Sequence, residues 1–167
     1  MTSFIPATVL VVEDDPSQRE SMQILLGEFG SVAAFGHPKD ALEYLRTHTV
    51  DVAVVDIRMP GLEVDGIWFM QEVRKDDTLL GIVLRTGDSD ISIAQAGIEA
   101  RAVQRVIKGD RNSVVQLKAA VRTAIMETRE RRALSASGEE ANEAKAKLFQ
   151  AIGQTDGDLT LANLCLG

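Results

Sequence analysis

The sequence predicts an α/β fold: a doubly wound, five-stranded parallel sheet with a C-terminal helical extension. Three observations predict it. Runs such as Ala7–Val12, apolar but for Thr8, and residues 52–55 do not alternate with polar residues, which suits strands covered on both faces. Those runs alternate with segments whose apolar residues recur at helical spacing, giving βαβαβαβαβα. Residues able to do chemistry follow several of the strands, at the edge where open α/β sheets bind their ligands.

The elements follow in order. Ala7–Val12 is a buried strand ending in Glu13, Asp14 and Asp15. Pro16 opens a helix where its missing N–H does no harm, with Asp15 as N-cap. Met22, Leu25, Leu26 and Phe29 give that helix one apolar face, and Gly30 terminates it. Residues 31–35 form a short second strand. His37-Pro38-Lys39-Asp40 turns into a helix carrying Ala41, Leu42 and Leu45. The third strand, 52–55, runs into Asp56, and Pro60-Gly61 stop regular structure beyond it. Asp65-Gly66 precede a third helix with Ile67, Phe69, Met70 and Val73. Residues 81–84 are a fourth strand, followed by Arg85, Thr86, Gly87 and Asp88. A weaker helix rich in small residues spans 91–98. Val103–Ile107 is the fifth strand, followed by Lys108, Gly109 and Asp110. Asn112 or Ser113 caps a last helix with Val114, Leu117, Val121, Ala124 and Ile125. Right-handed crossovers are expected throughout.

The bulk properties narrow the function. With 167 residues, 45% of them hydrophobic, the chain suits one domain plus an appendage. No apolar run approaches the ~18–20 residues of a membrane span. The first six residues lack the basic and apolar regions of a signal peptide. The single Cys165 excludes an intramolecular disulfide and fits a reducing cytoplasm, the expected location. Residues 1–110 carry 18 acids against 10 Lys and Arg, and the remainder 7 against 8. An acidic globular part and a nearly neutral tail argue against direct nucleic-acid binding by this chain.

Strand one delivers Glu13 and Asp14 to the functional edge, strand three Asp56, strand four Thr86 and strand five Lys108. Each has an ordinary explanation alone, as a cap or a solvated charge. Together, three carboxylates repel one another unless a cation joins them. Oxygen ligands without His or Cys select Mg²⁺ over Zn²⁺. A carboxylate nucleophile, a metal and a lysine that neutralises developing charge make a kit for phosphoryl transfer.

Residues 7–126 resemble the receiver domains of two-component response regulators, of flavodoxin-like fold. The resemblance rests on Val11-Val12-Glu13-Asp14-Asp15-Pro16, on Val55-Asp56-Ile57-Arg58-Met59-Pro60-Gly61 with Asp65-Gly66, on Leu84-Arg85-Thr86-Gly87 and on Val106-Ile107-Lys108. It implies that Asp56 is the phosphoacceptor, taking a phosphoryl group from a sensor histidine kinase or phosphotransfer protein. It implies that Asp14, Asp56 and the Arg58 backbone carbonyl ligate Mg²⁺, with Glu13 helping through water. It implies that Lys108 holds a phosphoryl oxygen and that Thr86 swings in to bond the phosphoryl group. Gly87 leaves the mouth of the site open.

The chain departs from the family pattern in three places. Arg105 stands three residues before the lysine, where an aromatic ring is usual, so the usual ring switch cannot operate; an arginine there can stay outside and pair with a partner's carboxylate. Gly109 replaces the usual cis proline after the lysine, and a non-proline cis bond costs about 2.5–4 kcal/mol. Glu63-Val64 lengthen the loop after Asp56 by two residues, so that it arches over the pocket or serves as a contact. Arg58 and Asp88 each lie two residues past a site residue, and a contact between them is expected to shield the phosphoryl group from water.

Residues 1–126 are thus expected to form the receiver and 127–167 a helical extension or linker. Ser135-Ala136-Ser137-Gly138 reads as a break or cap before a further helix, and 153–157 as a linker or turn. Two readings of the tail stay open: the start of a removed output domain, or helices that themselves form a homodimer. Two rivals to the signalling switch also stay open. One is a pseudo-receiver scaffold that no longer switches. The other is a Mg²⁺ phosphohydrolase using an aspartyl phosphate, which wants a second Asp where Arg58 stands.

Overall fold

Unbroken apolar runs bury every side chain of Val9 to Val12 and of Val52–Asp56, as strands covered on both faces require. The computed structural model describes residues 5–87, 103–109 and 112–164. Its strands are β1 (Ala7–Val12), β2 (Gly30–Phe35), β3 (Val52–Asp56), β4 (Gly81–Thr86) and β5 (Val103–Ile107). They form one parallel sheet in the order β2-β1-β3-β4-β5. The helices are α1 (Pro16–Leu26), α2 (Pro38–Leu45), α3 (Gly66–Asp76) and α4 (Ser113–Leu164). The helix expected over 91–98 falls outside the described residues.

Alternation along each strand sends side chains to two cores. Val9, Val11, Val52, Val54, Val83 and Val106 pack with α1 and the first turns of α4 on one face. Leu10, Val12, Ala53, Val55, Ile82 and Leu84 pack with α2 and α3 on the other. Asp15 caps α1 by accepting from the Gln18 N–H at 2.8 Å, with Pro16 at the first helical position, as the sequence predicts. Helix α1 stops at Leu26 rather than at Gly30, and Gly27–Phe29 tighten into a 3₁₀ turn. Gly30 is instead the first residue of β2, with φ 142° and no room for a Cβ against the Ala7 backbone.

The base of the sheet fixes where α4 crosses it. Thr128 is fully buried; its hydroxyl accepts from the Gly81 N–H at 2.8 Å and donates to the Ala124 carbonyl at 2.7 Å. Arg129 grips both carboxylate oxygens of Asp51 at 2.9 and 3.2 Å, and donates to the carbonyls of Ile5 and Pro6.

The chain divides into two compact units, Met1–Arg129 and Glu130–Gly167. The expected break at 135–138 and the turn at 153–157 are absent, because α4 is helical through both. One glycine in a helix costs only about 1 kcal/mol relative to alanine, and the Ala-, Glu- and Lys-rich flanks offset it. Described side chains from 133 to 150 are all exposed, Leu134, Leu148 and Phe149 among them. Among the described residues no helix is long and apolar enough to cross a membrane.

Candidate functional site

Parallel register brings the strand ends to one rim. Val12 pairs with Val55, Asp56 with Arg85, and Thr86 with Ile107. Glu13, Asp14, Asp56, Thr86 and Lys108 therefore meet there. Ligand oxygens of Glu13, Asp14 and Asp56 all lie within 4.8 Å of one another. The Asp56 carboxylate is only 5% exposed, and Glu13 and Thr86 are buried.

The Lys108 ammonium sits 2.5 Å from Asp56 Oδ2 and 3.4 Å from Glu13 Oε2. The Arg58 N–H points at Asp56 Oδ1 from 3.4 Å, while its side chain is exposed. The Lys108 N–H donates to the Thr86 carbonyl at 2.7 Å, tying the ends of β4 and β5 together. Gly66, at the start of α3, lets the helix approach the Asp56 backbone: a Cβ there would lie 2.1 Å from the Asp56 carbonyl oxygen. A Cβ at Gly87 would meet open space.

Burial, then the adjacent Asp56 carboxylate, push the Glu13 carboxyl above its ordinary value; Lys108, Arg85 and the Asp15 N–H pull the other way. Crowded, partly desolvated carboxylates of this kind favour a hard divalent cation, and the donor set is all oxygen. The residues present therefore fit Mg²⁺. Glu13, Asp14 and Asp56 are the side chains that would hold it.

The other expectations resolve unevenly. No cis peptide occurs among the described residues, so the Lys108–Gly109 bond is trans, and Gly109 takes φ 85°. The lengthened loop turns toward α2, where Glu63 pairs with Lys39 at 3.1 Å. Asp88 lies outside the described residues. Arg105 has its backbone in β5 opposite Leu84, and its side chain lies outside them too.

Two arginines were missed by sequence reasoning. Arg85 Nη1 donates to Glu13 Oε2 at 3.0 Å, with the guanidinium side chain only 12% exposed. Arg19 Nη1 donates to the carbonyls of Glu13 at 2.8 Å and Asp14 at 3.1 Å, fastening the turn that carries both carboxylates. The signal for Arg85 was present: a charge closing an otherwise apolar strand must find a partner. Nothing local distinguished Arg19 from a solvated helix residue.

Known proteins carry the same arrangement of elements. The family model described as response regulator receiver domain matches residues 9–122. The transcriptional regulatory protein ZraR of Salmonella typhimurium is 31% identical over 158 residues, 93% of this chain and 33% of that protein. The Fimbriae Z protein of Salmonella typhimurium is 30% identical over 100 residues, 58% of this chain and 47% of that one. The chain thus spans between a third and a half of the length of these relatives. A CheY-like response regulator receiver domain protein from Methanospirillum hungatei superposes with a TM-score of 0.68 at 17% identity, covering 76% of this chain and 99% of that one.

Proposed function

The chain belongs to the family of response regulator receiver domains, and from that membership in phosphorylation-dependent two-component signalling we propose that Asp56 is its phosphoacceptor. One observation carries the reading: a buried carboxylate in contact with an ammonium and within 4.8 Å of two further acids. A carboxylate oxygen of Asp56 attacks the phosphorus of a phosphohistidine on a sensor kinase or phosphotransfer protein. The P–O bond forms as the P–N bond breaks, and the imidazole leaves with its electron pair and takes up a proton. Lys108 is held beside the same carboxylate and takes up an oxygen of the incoming group, neutralising charge as it develops. Asp14, Asp56 and the Arg58 carbonyl, with Glu13 through water, would hold Mg²⁺, which would supply further neutralisation of the phosphoryl oxygens.

The product adds about −1.5 to −2 charges and strong acceptors beside Thr86. Thr86 closes on them, and a hydroxyl moving at the end of β4 links the chemistry to shape. The domain is a switch rather than an enzyme, losing its phosphate only by slow hydrolysis. In this reading residues 1–126 are the receiver, and 127–167 are an extension that leads to an output or pairs with a second copy in the cytoplasm. Nucleic-acid contact is not assigned to this chain.

Incubation with a small phosphodonor and Mg²⁺, followed by intact mass, tests the reading. The native chain gains one phosphoryl group, and Asp56→Asn gains none. No gain by the native chain overturns it. Turnover of generic phosphate esters would revive the phosphohydrolase.

A further inference from the structure

We propose that Arg85 is an internal counterion that competes with the divalent metal for Glu13, and so sets how tightly the acidic pocket binds it. The inference rests on the reading of Glu13, Asp14 and Asp56 as a Mg²⁺ site. Three carboxylates meet two cations within this pocket, and Glu13 Oε2 takes both: Arg85 at 3.0 Å and Lys108 at 3.4 Å. Lys108 already has Asp56 at 2.5 Å, so Glu13 is the acid partner that Arg85 engages in the metal-free pocket. A charge this buried cannot leave its partner without a place to go.

Such a place adjoins it. A cavity of roughly 60 Å³ opens between α1 and the first turns of α4, lined by Arg85 and Lys108 with Met22, Leu25, Ser113 and Leu117. It is several times larger than a single water requires. Strand alternation explains the placement. Arg85 shares its strand face with Val83, in the core under α1 and α4, and Val106 of the same core is its cross-strand partner. When metal draws Glu13 toward Asp14 and Asp56, the guanidinium turns into this cavity. There its planar fork finds water and the Ser113 hydroxyl, while its stem stays among the methyl and methylene groups of Met22 and Leu117. Arg85 is a positioning residue: it touches neither phosphate nor metal, and acts through Glu13.

Calorimetric titration of the whole chain with MgCl₂ alone tests this. In R85M the side chain keeps its unbranched stem and loses its charge, and Mg²⁺ binds about tenfold more tightly than to the native chain. R85K keeps the charge and binds near the native affinity. Equal or weaker binding by a folded R85M, or an R85K as tight as R85M, overturns the proposal. A second measurement needs no substitution. In the native chain the buried Arg85 Nη1, paired with Glu13, is expected to be protected from exchange, and NMR should show that protection falling as Mg²⁺ saturates the site. Unchanged protection at saturation overturns the proposal equally. If native and R85M chains bind Mg²⁺ alike, the metal site stands and only the role of Arg85 falls. If neither binds it, the metal site falls and the proposal with it.

Discussion

Glu13 is 1% exposed, and burial, then the adjacent Asp56, raise its carboxyl above the ordinary value, which the two neighbouring cations only partly offset. Its folded value lies above its unfolded one, so in the metal-free protein its contribution favours folding at low pH. That contribution is lost as pH rises through the folded value. Glu13→Gln removes the charge but keeps an oxygen for Arg85 and the Asp15 N–H. Metal-free Glu13→Gln is therefore expected to melt above the native chain at neutral pH. The gap should narrow as pH falls toward 4.5, the ordinary value, as thermal melts in chelator across pH would show. Under saturating Mg²⁺ the order reverses, because the native chain gains binding energy that the variant has lost. At this scale the sequence identified Glu13, Asp14, Asp56 and Lys108 by their positions after strands. It did not identify Arg85 or Arg19, whose partners are 72 residues away in one case and backbone carbonyls in the other.

The elements were readable because each had its own punctuation. Asp15 with Pro16, and Asp65 ahead of Gly66, mark helix starts by capping the Gln18 and Trp68 N–H groups at 2.8 and 2.9 Å. Continuous apolar runs mark the strands. What local pattern could not reveal is how α4 is seated on the sheet. Thr128 reads as a minor polar residue in a charged stretch, yet its hydroxyl accepts from the buried Gly81 N–H and donates a hydrogen bond to the Ala124 carbonyl. Thr128→Val keeps the shape and strands that N–H. The expected loss is about 1–3 kcal/mol by urea denaturation, with an unchanged m-value. The break or cap expected at 135–138 is absent for the opposite reason: its breakers are weak, good helix formers surround them, and the helix is continuous.

Over the whole molecule, Met1–Arg129 and Glu130–Gly167 are separate compact units, and among the residues whose side chains are described every buried one belongs to the first. Ending the chain after residue 134 is expected to cost less than ~1 kcal/mol, a few degrees in Tm at most. The shortened chain should also take up phosphate on Asp56 as the full chain does. Calorimetry and intact mass on that truncation would check both. A larger loss would mean that the extension contributes to the stability of the first unit.

The sequence by itself determined the fold class, the order of the described elements up to the start of α4, and the acids, lysine and threonine of the candidate site. Those features are written in local period and in residues that directly follow strands. Only the tertiary structure decided which charges pair. A salt bridge such as Arg85 to Glu13, or Arg129 to Asp51, joins residues 72 and 78 positions apart. Its existence depends on strand order, register and burial, none of which a local window contains. The same physics decided that the lengthened loop pairs with α2 and that a small cavity adjoins the acidic pocket. Packing between distant elements sets both.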